Sequence, residues 1–198
     1  MVAEARQRLL DELLDAIDPR LDVRRSFAPA AHTPRRWPAG SQQVVLVGHR
    51  AAGKSRLLPL LGQWLGRPTL ELDAEIARRA GRPLREWVEG DPAGFRLAER
   101  KTFLELPDGR VIAAGGGFLA LHGDLLAPHV PVLVPVSYET YRERLLADRT
   151  RPRLRPELSL EEEIASIFHE REKVHAGACA VALLDFLAAT IEPGGAPR

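Results

Sequence analysis

Apolar residues recur three and four positions apart at the start of the chain. Leu9, Leu10, Leu13, Leu14 and Ile17 stand between charged neighbours over residues 3–17. That spacing places them on one face of a helix, and Asp18-Pro19 ends it. Residues 28–41 lose the periodicity, are rich in Ala and Pro, and read as a linker. Residues 1–41 are therefore expected to form an extension of one amphipathic helix and a tether. Its apolar stripe needs a surface: the main domain, a second subunit or another protein. From residue 42 the pattern changes. The apolar run 43–47 predicts a buried strand. Leu57, Leu58, Leu60, Leu61, Trp64 and Leu65 predict a helix, stopped by Gly66-Arg67-Pro68. A strand at 69–72, helices at 73–80 and 92–105, and strands at 110–114 and 130–136 follow. A helix at 138–148, an Arg/Pro-rich stretch at 149–156, a helix at 159–175 and a last strand at 179–184 complete the chain. Strands alternating with helices predict an α/β fold for 42–198: three layers, with a parallel five-stranded sheet covered by helices on both faces.

Composition narrows the field. The chain has 198 residues, 45% of them hydrophobic, which suits one core. A net charge of +1 gives no overall attraction to nucleic acid or to a membrane surface. No long uncharged apolar stretch suggests a span, and Glu4, Arg6, Arg8, Asp11 and Glu12 are unlike a secretory leader. The single cysteine, Cys179, allows no internal disulfide and fits a reducing cytoplasm. Within its apolar run it reads as a core residue. Only Lys54, Lys101 and Lys173 are lysines among 28 basic residues, so each lysine is informative.

One of them completes a phosphate-binding motif. Gly48-His49-Arg50-Ala51-Ala52-Gly53-Lys54-Ser55 satisfies G-x-x-x-x-G-K-[ST], with an apolar strand before it and a helix after it. Glycines let backbone N–H groups curl around phosphate oxygens, and the helix N-terminus adds a positive dipole end. Lys54 would reach the β- and γ-phosphates and the Ser55 hydroxyl would ligate Mg²⁺. The nucleotide side is expected to comprise Gly48, Ala51, Ala52, Gly53, Lys54, Ser55 and Arg56, with ATP and Mg²⁺ as the cofactors. Pro59 falls early in the following helix and costs a hydrogen bond near the Ser55 carbonyl.

Five later features separate kinases from other P-loop proteins. Glu71-Leu72-Asp73 ends the second strand, where ligands sit in open α/β sheets. Phe95-Arg96-Leu97-Ala98-Glu99 follows. Val111–Ala114 is an apolar strand running into Gly115-Gly116-Gly117. Arg149-Thr150-Arg151-Pro152 comes after the fourth strand and its helix, and Arg171 lies on the next helix. This order resembles the shikimate kinase family over residues 43–185. The resemblance implies that Asp73 orients the acceptor hydroxyl and takes its proton, and that Arg96 and Arg171 grip the acceptor carboxylate. It implies contacts to the acceptor from the backbone of Gly115, Gly116 and Gly117. It makes Arg151 the lid arginine over the transferred phosphoryl group, Arg144 an arginine stacked on adenine, and Glu71 a metal-side carboxylate beside Ser55. Lys54, Asp73 and Arg151 would form the catalytic set.

The chain departs from that family in places. Ala51 stands where a P-loop glycine is usual, Glu71 replaces an aspartate, and His175 replaces a common tyrosine. His49 and His175 read as bystanders, because phosphoryl transfer needs no imidazole in either place. The family's final helix and its adenine-side loop are expected to be missing or shortened. The resulting reading is a cytoplasmic, ATP-dependent kinase of shikimate, a monomer or a weak homodimer through the N-terminal helix, with no nucleic-acid or membrane partner. The alternatives are a kinase of a related hydroxy acid and a non-catalytic ligand-sensing module.

Overall fold

The computed structural model describes residues 2–27, 38–148 and 150–191. Most of the expected linker, Arg149 and residues 192–198 lie outside the described residues.

Five parallel strands form one sheet in the order β2-β3-β1-β4-β5: β1 (Val44–Val47), β2 (Thr69–Glu71), β3 (Val111–Ala113), β4 (Val130–Leu133) and β5 (Val181–Ala182). In register, Val45 stands opposite Ile112 on one side and Pro131 on the other. The chain places β2 and β3 to one side of β1, then crosses to place β4 and β5 on the other. That reversal opens a crevice at the carboxyl ends of β1 and β3. The four residues of β1 are all fully buried, which is why they read as an unbroken apolar run.

Alternate side chains of β1 point to opposite faces. Val44 and Leu46 join one core with α1 (Val2–Ala16), α3 (Lys54–Leu65) and α10 (Leu183–Thr190). Val45 and Val47 join the other with α4 (Leu72–Ala80), α5 (Leu84–Gly90), α6 (Pro92–Leu104) and α7 (Phe118–His122). A smaller cluster of Tyr141, Leu145, Ile164 and Phe168 packs α8 (Tyr138–Ala147) on α9 (Leu160–Gly177). Among the described residues no helix is long and apolar enough to cross a membrane.

The apolar stripe of the N-terminal helix is spent inside its own chain. Leu9, Leu10, Leu13, Leu14 and Ile17 are buried in the core shared with α3 and α10. The Arg6 guanidinium sits 4.1 Å over the Trp64 ring and donates to the Thr190 carbonyl at 2.8 Å. Of the three surfaces open to that stripe, the structure uses the main domain, which leaves no free apolar stripe for pairing two chains. After a 3₁₀ turn, Pro19–Leu21, and the short α2 (Val23–Ser26), the path leaves the described residues.

Several boundaries differ from the sequence pattern. The helices α5 and α7 are additional, and β4 ends at Leu133 rather than near residue 136. The last strand shrinks to Val181–Ala182 and is followed at once by α10, so a final helix is present and joins the strand with no residue between them. Leu183, Phe186, Leu187 and Thr190 are buried at helical spacing. A six-residue apolar window is too short to reveal that period. Cys179 precedes this edge strand and is exposed, not a core residue.

Candidate active site

The P-loop joins β1 to α3 and owes its shape to particular residues. Gly48 has φ +125°, and a Cβ there would lie 2.8 Å from the Val134 carbonyl oxygen. Gly53 has φ +96° and precedes Lys54, the first residue of α3. Ala51 adopts φ +57°, a left-handed conformation that costs an L-residue about 1–2 kcal/mol. The helix continues through Pro59. Lys54 Nζ donates to the carbonyls of Gly48 at 3.0 Å and His49 at 2.6 Å. Burial pulls its pKa down to about 7, with Asp73 opposing the shift. Arg144, from α8, donates to the Ala51 carbonyl at 2.7 Å and so holds the loop. That bond was not foreseen beside its expected place near the base.

The crevice has two halves. The larger, about 440 Å³, contains Ser55, Arg56, Glu71 and Arg144 with the P-loop residues 50–54. The smaller, about 240 Å³, contains Arg96, Gly117 and Arg171. Arg50, Asp73, Gly115, Gly116 and Arg151 line both. The expected residues thus converge, and Asp73 stands at the junction.

Asp73 lies in the first turn of α4, where Glu71 occupies the N-cap position and no side chain caps the helix. Its Oδ1 is buried without a hydrogen-bond partner. Burial, then the nearby Glu99 carboxylate, raise its pKa to about 6, and Lys54 limits the rise. A Cβ at Gly115 would stand 3.1 Å from both Asp73 Oδ1 and Glu99 Oε1, and one at Gly116 only 2.6 Å from the Arg50 backbone nitrogen. Larger residues at either position would push the two halves apart. A Cβ at Gly117 would meet Arg171 Nη2 at 3.3 Å and Arg96 Nη2 at 3.7 Å. The two guanidiniums therefore converge beside the third glycine.

Arg96 is tied down and Arg171 is not. Arg96 Nη1 donates to Glu99 Oε2 at 2.8 Å, and His122 Nε2 lies 3.1 Å from the same oxygen. Arg171 Nη1 is buried without a partner. Burial, then repulsion from Arg50, lower the Arg171 pKa to about 10. A buried cation without a hydrogen-bonded anion is costly, and an incoming carboxylate relieves that cost.

Glu99 and Arg50 are members that the sequence reading did not assign. Glu99 was visible as the acid three residues after Arg96, a spacing that puts both on one helix face. Arg50 fills a variable P-loop position and carries no sequence signal. Its Nη1 donates to the Pro152 carbonyl at 3.2 Å, linking the P-loop to the lid. In the lid, Arg151 Nε donates to Asp148 Oδ2 at 2.7 Å. Hydrogen bonds from Thr150 and Arg151 hold the Asp148 pKa at about 2. Arg153 is bound to buried Glu163, and Arg155 to Glu170. Of these three arginines only Arg151 lines both halves of the crevice.

The two histidines read as bystanders meet each other. His49 stacks on Phe168 with ring centroids 4.2 Å apart and lies edge-on to His175 at 4.5 Å. His49 Nε2 is 2.8 Å from Glu172 Oε1, and His175 Nδ1 is 3.5 Å from it. Burial drives the His49 pKa down to about 4. Neutral imidazoles thus pin α9, which carries Arg171, to the back of the P-loop.

A phosphate loop, a buried carboxylate and a converging arginine pair on a parallel sheet define a small-molecule kinase of the P-loop class. Residues 50–185 match the family model described as shikimate kinase. A shikimate kinase of Thermosynechococcus vestitus is 34% identical over 151 residues, 70% of this chain and 78% of that protein. One of Geobacter sulfurreducens is 34% identical over 148 residues, 71% of this chain and 81% of that protein. The structure of the Acinetobacter baumannii shikimate kinase in complex with shikimate superposes with a TM-score of 0.65 at 26% identity, covering 76% of this chain and 90% of that one. That of the Aquifex aeolicus enzyme gives 0.60 at 25% identity, covering 77% and 89%. The chain belongs to the shikimate kinase family.

Proposed function

We propose that this protein transfers the γ-phosphoryl group of ATP to the 3-hydroxyl of shikimate. The observation that carries the proposal is the position of Asp73. It lies where the phosphate half of the crevice meets the half containing Arg96 and Arg171. An acceptor carboxylate held by that arginine pair turns a ring hydroxyl toward Asp73. Forked guanidiniums fix orientation as well as charge, and phosphoryl transfer depends chiefly on positioning and charge neutralisation.

In this mechanism the Asp73 carboxylate accepts the hydroxyl proton as the acceptor oxygen bonds to the γ-phosphorus. The bond from that phosphorus to the bridging oxygen breaks, and ADP leaves. Lys54 exchanges its loop carbonyls for phosphate oxygens, and the positive end of α3 faces the same charge. Arg151 leaves Asp148 and closes over the transferring group, excluding water. The exposed Ser55 hydroxyl and the Glu71 carboxylate lie in the phosphate half of the crevice. They are hard oxygen donors of the kind Mg²⁺ takes. The ion would neutralise phosphate charge there. Gly115, Gly116 and Gly117 keep the floor low enough for the acceptor to lie against backbone.

The test is ADP release with ATP, Mg²⁺ and shikimate, beside a control without shikimate. Release that requires shikimate supports the proposal. Release with a different hydroxy acid but not with shikimate would move the assignment to a related acceptor.

A further inference from the structure

The N-terminal helix ends inside the phosphate half of the crevice. Ala16, its last residue, lines that half together with Gly53, Ser55, Arg56 and Arg144. A Cβ at Gly53 would lie 3.7 Å from the Ala16 carbonyl oxygen and 3.9 Å from Arg144 Nη1. The carbonyl and the guanidinium therefore both border Gly53, beside the start of α3.

This carbonyl has been left free by the sequence that follows it. A last-turn carbonyl takes its bond from a backbone N–H three or four residues on, or from a cap. Three residues on is Pro19, which has no N–H. Four residues on is Arg20, whose N–H goes to Asp18 Oδ1 at 3.1 Å. Among the described residues no hydrogen bond reaches the Ala16 carbonyl. A free carbonyl beside a binding crevice is an acceptor available to a ligand.

The corner is also held in place. Asp18 is fully buried. Its Oδ2 accepts from the Ser137 amide at 2.7 Å and the Ser137 hydroxyl at 2.6 Å, and its Oδ1 accepts from the Thr140 hydroxyl at 2.7 Å. Arg20 pairs with Glu143. These bonds fasten the end of α1 to the first turns of α8, the helix that carries Arg144. Among the described residues β5 runs into α10 with no connecting loop.

We propose that the corner at residues 16–18 is the base-side wall of the nucleotide site, and that the Ala16 carbonyl selects a purine bearing a 6-amino group. This rests on the kinase reading. A 6-amino donor satisfies the carbonyl, whereas a 6-oxo purine sets two acceptors against each other, a repulsive contact that discriminates. The N-terminal extension is then part of the ATP site, joined to it through α1, Asp18 and α8.

Calorimetric binding of ATP and ITP to the full chain tests this without turnover. The wild-type protein should bind ATP at least about tenfold more tightly than ITP, the scale of one unsatisfied polar contact. Ala16 belongs to the core as well as to the crevice lining; Ala16→Phe, where the protein folds, should weaken ATP and ADP binding by a similar factor. It should raise the KM for ATP and leave the KM for shikimate unchanged. Equal ATP and ITP affinities in the wild type would overturn the selection by Ala16, and this measurement needs no variant. Folded Ala16→Phe protein with undiminished ATP binding would overturn the wall. Shikimate-dependent ADP release in the wild type reports separately on the kinase reading. Its failure alongside ATP selectivity would leave the wall standing.

Discussion

The two halves of the crevice are built in different ways. The phosphate half rests on eight consecutive residues, Gly48 to Ser55, whose backbone curls between one strand and one helix. The acceptor half draws Asp73, Arg96, Gly117 and Arg171 from four separate segments. The first is a local device, stabilised by glycine geometry and a helix end. The second is a tertiary device, and exists only once the sheet has ordered its loops. The first half rests on backbone shape, and Ala51 there holds a left-handed conformation that favours glycine. The second depends on side chains, two of which, Asp73 at Oδ1 and Arg171 at Nη1, are buried without a hydrogen-bond partner.

The largest expected effect breaks the phosphate half. Lys54→Ala should lower turnover by at least about 10²-fold, the scale of losing one preorganised donor to developing charge, while circular dichroism and melting stay near wild type. Arg171→Met tests the acceptor half. It should raise the shikimate KM by about 10–100-fold, as expected for a charge-assisted hydrogen bond, with the ATP KM unchanged. Because it removes a buried cation whose Nη1 has no partner, it should also raise the melting temperature. A lower melting temperature, with the KM values for shikimate and ATP raised alike, would mean that Arg171 is structural.

The junction is tested by pH. With an Asp73 pKa of about 6, kcat/KM should fall as pH drops through that value, because a protonated carboxyl cannot accept the hydroxyl proton. Glu99→Gln removes the like charge beside it, so the acid limb should move to lower pH. An unmoved limb would detach it from Asp73. On the other side of the junction, Lys54 has a pKa of about 7. Phosphate binding favours its charged form, so ATP binding at pH 8 should take up protons, seen as a dependence of binding enthalpy on buffer ionisation. The smallest effect concerns Ala51. Ala51→Gly should relieve the left-handed backbone and raise the melting temperature by roughly 2–4 °C, the shift expected for about 1 kcal/mol in a chain of this size.

The same contrast explains what the sequence revealed. The P-loop was legible because its chemistry is contiguous. The strands β1, β3 and β4 were legible as short, largely buried apolar runs, whereas β2, Thr69–Glu71, is exposed to half-buried and was legible from its place between two helices. Gly115–Gly117 and Arg171 could be found only through a resemblance, since nothing local states that Gly117 lies between two guanidiniums. Glu99 stands in the Phe95–Glu99 motif with no local sign of its role, because its effect on Asp73 passes through space beside Gly115. The α10 helix escapes the sequence pattern, its first two residues falling in the expected strand, because residues 179–184 are too few to show a period. The destination of α1 was left open because an amphipathic stripe specifies burial and not the surface it meets. The meeting of His49 with His175 is likewise a property of the packed α9.

The most direct test of the account is ADP release by the wild-type chain with ATP and Mg²⁺, with and without shikimate. The account predicts release that depends on shikimate and is abolished by Lys54→Ala. Absence of release, with ATP and shikimate both bound by calorimetry, would contradict it and leave a site that holds both ligands without joining them.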